Sequence, residues 1–189
     1  HLRSAPLIAV IEEAAEPHSE RGKELHFDFE SDTEDNQRMP TIQRKPEIIH
    51  GLRNLIQNAV DFAEQEVWVD TTWSDTKITI RVIDDGPGYP VNLLGRIGDP
   101  FIRRRKPEPN QKSRPEYEGM GLGLFIAKTL LERTGAEMTF ANGSDPFMAP
   151  QDRPIRSGAI VEAAWPRSSL VNTPQEASTA LGQNQKFEA

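Results

Sequence analysis

Three short motifs stand in one order along this chain: Asn54 and Asn58 within HGLRNLIQNAVDFA, then Asp84-Asp85-Gly86-Pro87-Gly88, then Gly119-Met120-Gly121-Leu122-Gly123-Leu124. They constrain the fold because each falls at a different structural boundary. Behind Pro46, residues Ile48, Ile49, Leu52, Leu55, Ile56, Ala59, Val60 and Ala63 recur at helical spacing, so the asparagines lie on a well-buried helix. Asp84 closes an apolar run that reads as a strand. The glycines of the third motif lead into a second helical pattern, from about 121 to Thr134 with a stop at Gly135.

The rest of the chain fills in around these points. Ser4-Ala5-Pro6 reads as a helix start, with Ser4 as N-cap and Pro6 in the first turn, and Gly22 as a stop. Leu25 to Phe29 alternates like a half-buried strand, 31–36 is a polar turn or loop, and a short strand is expected around Thr41 to Gln43. Val67 to Trp73 and Lys77 to Asp84 predict a hairpin turning at Ser74-Asp75. Ala136 to Ala141 and Ala159 to Trp165 predict the last two strands. Between Gly86 and Glu118 there is no sustained periodicity and six prolines interrupt the chain, which marks a functional or mobile segment. Beyond Pro166 the chain is polar, and a disordered tail over 167–189 is expected.

Composition narrows the function classes. With 189 residues, 36% of them hydrophobic and 27% charged, the chain suffices for one domain with a proper core. No apolar run approaches the roughly 20 residues of a membrane helix, and no signal peptide is visible at the start. A net charge of -7 argues against duplex nucleic acid as a partner. The absence of cysteine excludes thiol catalysis and cysteine zinc sites within these residues.

The motifs carry chemistry of one kind. Asn54 and Asn58, four residues apart, share a helix face, and an amide oxygen suits a hard cation such as Mg²⁺. Asp84 can accept a hydrogen bond from an exocyclic amine such as adenine N6, and the glycines after it let backbone approach a flat base. A glycine-rich helix start offers free N–H groups and the positive end of a dipole to phosphates. Each motif alone also has an ordinary reading: amides that bridge buried backbone, a strand-ending turn, a hinge before a helix. In this order they describe a pocket for Mg-ATP. A dinucleotide fingerprint is excluded at the third motif, because no strand precedes it.

This order resembles the N, G1 and G2 boxes of the ATP-binding domain of sensor histidine kinases, in the superfamily that includes gyrase, MutL and the ninety-kilodalton heat-shock chaperone. Asp99-Pro100-Phe101-Ile102-Arg103 resembles the F box. The resemblance covers residues 4 to 166, and the stretches HGLRNLIQNAVDFA, IGDPFIRRR and YEGMGLGLFIAKTLLERTGA resemble the RegB type of redox-responsive kinase. It implies a two-layer α/β sandwich: a mixed five-stranded sheet on about three helices, a catalytic domain over 1–166, and a mobile ATP lid over about 89–118. It implies ATP and Mg²⁺ as cofactors. Asn58 would be the magnesium ligand, with Asn54 beside it near the phosphates. Phe62 would lie against the base, Asp84 would hold adenine N6, and Gly86 and Gly88 would shape the base pocket. Gly119, Gly121, Leu122 and Gly123 would cradle phosphates and hinge the lid, and Arg103 or Arg105 would reach the terminal phosphates. Asp61 departs from the pattern, since many family members place Lys or Arg there.

The function so implied is transfer of the γ-phosphoryl of ATP to a histidine on a separate dimerisation domain, for onward transfer to a response-regulator aspartate. None of His1, His18, His26 and His50 stands in the His-acidic acceptor motif, so the chain is expected to begin just after that domain. The partners implied are that domain and a cognate response regulator, with no nucleic acid. The implied setting is a cytoplasmic domain of a membrane-bound homodimer in the bacterial inner membrane. Three alternatives use the same pocket: an ATP-hydrolysing clamp, a serine kinase, and a non-catalytic nucleotide sensor. The clamp needs a glutamate base one turn before the metal-binding asparagine, and that position is Asn54.

Overall fold

The computed structural model describes residues 3–34, 37–97, 120–145 and 147–171. Strand β1 (Ser4–Pro6) leads directly into helix α1 (Leu7–Ala15). The expected N-cap is therefore corrected. Ser4 pairs with Gln43 in a two-stranded ribbon with β3 (Thr41–Gln43), and Pro6 occupies the cap position without a side-chain bond. The first N–H of the helix, that of Leu7, donates instead to the Pro40 carbonyl at 3.0 Å. Helix α1 ends seven residues before Gly22. A 3₁₀ turn over Glu16–His18 follows it, and Gly22, at φ +80°, shapes the approach to β2 (Glu24–Ser31) instead. Strand β2 extends through Ser31, which had been assigned to the loop.

Helix α2 (Pro46–Phe62) begins at the expected proline. Strands β4 (Glu66–Trp73) and β5 (Lys77–Asp84) form the expected hairpin, closed at Ser74 N–H to the Lys77 carbonyl. Helix α3 (Met120–Arg133), β6 (Glu137–Asn142) and β7 (Ala159–Pro166) complete the sequence of main elements. The five-stranded sheet runs β2-β4-β5-β7-β6. Only the β2–β4 pairing is parallel, as a crossover through α2 requires, so the sheet is mixed.

Period-two alternation decides which sheet face the helices cover. Val67, Val69 and Trp73 of β4, Ile78, Ile80 and Val82 of β5, and Val161, Ala163 and Trp165 of β7 point into the core. They meet Val10 and Ile11 of α1, Leu52, Leu55 and Ile56 of α2, and Leu124, Ala127 and Leu131 of α3. Each fully buried aliphatic or aromatic side chain contributes on the order of 1.5–3 kcal/mol. Trp165 is fully buried, and its indole N–H donates to Thr134 Oγ1 at 2.8 Å, tying β7 to the end of α3. On the opposite face, Arg81 and Glu162 stand directly across β5 and β7 and pair at 2.6 Å.

Packing continues past Pro166. Residues Arg167–Leu170 form a short helix α4, Leu170 is 1% exposed and Val171 packs against the core, so the first five residues assigned to the tail belong to the folded body. The remainder of that tail, 172–189, lies outside the described residues. Among the described residues no helix is long and apolar enough to cross a membrane.

Candidate functional site

The site is built where the end of β5 meets the end of α2. Asp84 is the last residue of β5 and is 1% exposed. Its Oδ1 accepts the N–H of Gly86 at 2.9 Å and that of Ala159 at 3.1 Å, while its carbonyl accepts the N–H of Gly158 at 2.9 Å. Both side-chain bonds go to one oxygen, which leaves Oδ2 as an acceptor for something else. Burial pushes the carboxyl up to about 6 against the pull of the two N–H donors, and neighbouring Asp85 adds to the rise.

The turn after Asp84 has no room for side chains at two points. A Cβ at Gly86 would overlap the Phe62 carbonyl at the end of α2, and a Cβ at Gly158 would overlap Asp84 Oδ1. Gly88 has φ +78°, which an L side chain disfavours, and a Cβ there would lie 2.7 Å from Asn142 Oδ1. Asp85 fastens the same turn to the α2–β4 connection, accepting the N–H groups of Glu64 at 2.8 Å and Gln65 at 3.1 Å.

The α2 wall carries Asn54, Asn58 and Phe62 at four-residue spacing, one above the other on a single helix face. Asn58 is 8% exposed, and among the described residues its side-chain amide is engaged by no hydrogen bond. Asn54 and Phe62 are half-buried. The tight Gly86–Phe62 approach brings the end of this wall beside the Asp84 turn, so Phe62, Asp84, Gly86 and Gly88 lie together, with Asn58 one helical turn and Asn54 two turns back along α2.

The third motif enters α3 where the helical pattern was expected to begin. Gly121, Leu122 and Gly123 already lie in the first turn of α3, Leu122 is 44% exposed, and a Cβ at Gly123 would meet open space. Gly119, Arg103 and Arg105 lie outside the described residues. So does 98–118 of the expected lid.

The first nine residues of that expected lid, 89–97, are anchored at both ends in the core, while Val91, Asn92, Gly95 and Arg96 between them are exposed. Tyr89 is 3% exposed, edge-on to Phe140 with ring centroids 6.2 Å apart. Its backbone is clamped by Asn142, whose Oδ1 accepts the Tyr89 N–H at 2.7 Å and whose Nδ2 donates to the Tyr89 carbonyl at 2.8 Å. Val91–Arg96 is a 3₁₀ helix, and Ile97 is 8% exposed. The expectation of a loose segment from residue 89 is therefore corrected for 89–97, where Tyr89 and Ile97 are held in the core. Burial drives the Tyr89 phenol well above its ordinary range, with the Asp84 charge acting in the same direction.

Sequence reading missed Asn142 and Gly158, which complete the turn from strands distant along the chain. The only local signals were an Asn-Gly pair closing β6 and a Ser-Gly pair opening β7, both ordinary turn dipeptides.

Residues 43–169 match the family model described as histidine kinase-, DNA gyrase B- and HSP90-like ATPase. Over 170 residues, 90% of this chain, the sequence is 59% identical to the sensor histidine kinase RegB of Cereibacter sphaeroides, of which it spans 37%. It is 38% identical over 94 residues, 50% of the chain, to the signal transduction histidine-protein kinase AfsQ2 of Streptomyces coelicolor, of which it spans 16%. Among solved structures, the mycobacterial sensor histidine kinase MprB superposes with a TM-score of 0.62 at 18% identity, covering 88% of this chain and 97% of that one. The catalytic domain of the histidine kinase ThkA gives 0.60 at 24%, covering 87% and 97%. Those two likenesses show the fold, which is that of histidine kinase catalytic domains. The chain belongs to the histidine kinase-, DNA gyrase B- and HSP90-like ATPase family.

Proposed function

We propose that this domain binds Mg-ATP and delivers the γ-phosphoryl to a histidine on a dimerisation domain outside this chain, for onward transfer to a response-regulator aspartate. The observation that carries the reading is Asp84: a buried carboxylate with one oxygen fixed by two backbone N–H groups and the other left to accept, beside a helix wall of two stacked asparagines. Adenine N6 is an amine that such an oxygen selects. Guanine presents an oxygen at that place and would set acceptor against acceptor. The Asn58 amide, buried and without a hydrogen-bond partner among the described residues, fits a hard cation held mainly by phosphate oxygens and water. Magnesium bound there would neutralise phosphate charge. Asn54 would steady the phosphate side of the same wall, and Phe62 would lie against the base. Gly119, Gly121, Leu122 and Gly123 would hold the phosphates, and Arg103 or Arg105 would meet the terminal ones. Among solved relatives, the histidine kinase ShkA is described in complex with AMPPNP, which supports a nucleotide in this fold.

The chemistry of the domain is positioning and charge neutralisation, since the nucleophile is brought by another domain. Asn54 supports this over the hydrolytic clamp: an amide in that place takes no proton from water at neutral pH. The parent protein is proposed to be a membrane-bound homodimeric sensor of the RegB type in the bacterial inner membrane, with this domain on the cytoplasmic side.

Calorimetry with ATP and GTP, with and without Mg²⁺, tests the reading. ATP should bind about 5- to 150-fold more tightly than GTP, since an unpaired buried polar contact costs roughly 1–3 kcal/mol. Asn58→Ala should fold normally and lose the magnesium dependence. Equal affinity for the two nucleotides would remove Asp84 from the base pocket.

A further inference from the structure

Asp61 sets a problem on the α2 wall. It follows Asn58 by three residues and Asn54 by seven, so it stands on the same helix ridge, within about 20° of Asn54 in helical angle. A carboxylate there would repel a triphosphate lying along the asparagines. The structure answers with a cation from another element. Arg21, in the turn between the 3₁₀ segment and β2, places Nη2 2.5 Å from Asp61 Oδ1. Its Nη1 lies 3.4 Å from Nδ1 of His18. His18 is 6% exposed, and burial, followed by the charge of Arg21 itself, holds its pKa below the ordinary imidazole range, so it faces the guanidinium as a neutral acceptor. Arg21 is thus gripped from two sides while its side chain remains 41% exposed. A guanidinium has five N–H donors, and these two contacts leave most of them free.

Two nearby cations are occupied differently. Lys23 bonds the Ala63 and Glu64 carbonyls and closes the C-terminal end of α2. Arg44 forks onto Glu13, on α1.

We infer that Arg21 is a phosphate-binding residue of this site: Asp61 and His18 hold its guanidinium at the α2 wall, and its free N–H groups meet the phosphate end of the nucleotide. The inference rests on the proposed ATP site and adds a residue that arrives from outside the three motifs. A surface ion pair alone contributes little to stability, so the Arg21–Asp61 pair is better explained by what it presents than by what it holds together.

The test compares Mg-ATP with adenosine as probes, by calorimetry on the wild type, Arg21→Ala, Arg21→Lys and Arg21→Ala/Asp61→Asn, with thermal melts to confirm folding. Arg21→Ala should weaken Mg-ATP by about tenfold, the scale of one charge-assisted contact, and leave adenosine unchanged. Arg21→Lys should recover part of the loss, because the charge returns without the fork. The double variant should recover only the part of the loss due to the bare Asp61 charge and stay weaker than the wild type. Full recovery in the double variant would overturn the phosphate contact, since Arg21 would then only neutralise Asp61. Wild-type Mg-ATP affinity in folded Arg21→Ala would overturn it as well. Failure of the wild type to bind adenosine or ATP would instead overturn the adenine site on which the inference stands.

Discussion

Asp84 places a charge that the fold resists where a ligand wants it. Its carboxyl titrates at about 6 in the folded protein and at an ordinary 3.8 when unfolded, with burial as the main cause. The folded state therefore binds the proton more tightly. The stabilisation is complete below pH 4, is lost as the pH rises toward 6, and leaves a constant cost above that. Asn at this position keeps an oxygen for Gly86 and Ala159 but does not titrate. Urea unfolding at pH 4 and pH 7 should show the wild type losing up to roughly 3 kcal/mol relative to Asp84→Asn across that interval. Parallel pH profiles for the two proteins would mean that the site stays wet and burial does not govern the group. Gly158 tests the same corner sterically. Gly158→Ala puts a methyl onto Asp84 Oδ1, so it should displace the carboxylate, lower the melting temperature and abolish discrimination between ATP and GTP. A variant that kept both properties would show that the corner has slack.

At the scale of elements, the segment leaving the Asp84 turn is held by one side chain. Asn142, at the end of β6, bonds both the N–H and the carbonyl of Tyr89 as a neighbouring strand would. Asn142→Ala should cost about 1–3 kcal/mol, because a buried N–H and carbonyl lose their partners together. Among the described residues the buried Tyr89 hydroxyl has no hydrogen-bond partner, so Tyr89→Phe should be neutral or slightly stabilising in the same unfolding assay. A loss above 1 kcal/mol for Tyr89→Phe would reveal a bond that the phenol makes after all. These contacts mark what sequence could and could not disclose. The helix of Asn54 and Asn58, the β4–β5 hairpin and the start of α3 were legible, because their apolar periods were long and their ends carried proline or glycine. The packing of 89–97 was not, because Tyr89 is fixed by a residue 53 positions away and no local period announces it. The N-cap at Ser4 failed for a related reason: a three-residue ribbon with Thr41–Gln43 replaced the local bond by a distant one. Within the site, the α2 and β5 residues were legible as motifs, whereas Arg21, Asn142 and Gly158 enter through folding alone.

At the scale of the whole molecule, the proposed transfer needs an acceptor, and no histidine of this sequence stands in a His-acidic motif. His18 is buried and faces Arg21, His26 lies 3.1 Å from Glu66 on the outer sheet face, and His50 is on an exposed part of α2. None of the four histidines in the sequence is followed by an acidic residue. The chain on its own should therefore bind Mg-ATP, hydrolyse it slowly, and acquire no acid-labile label from γ-labelled ATP. Mixed with a separate dimerisation domain that carries an acceptor histidine, it should transfer label in trans. That transfer should be slow and linear in the concentration of the added domain, because no tether raises the effective concentration. Attaching the two domains should raise the rate without changing the affinity for ATP. Label on the isolated chain would place an acceptor within it. Rapid hydrolysis without any acceptor would make Asn54 no barrier to water and would move the molecule from kinase to ATPase clamp.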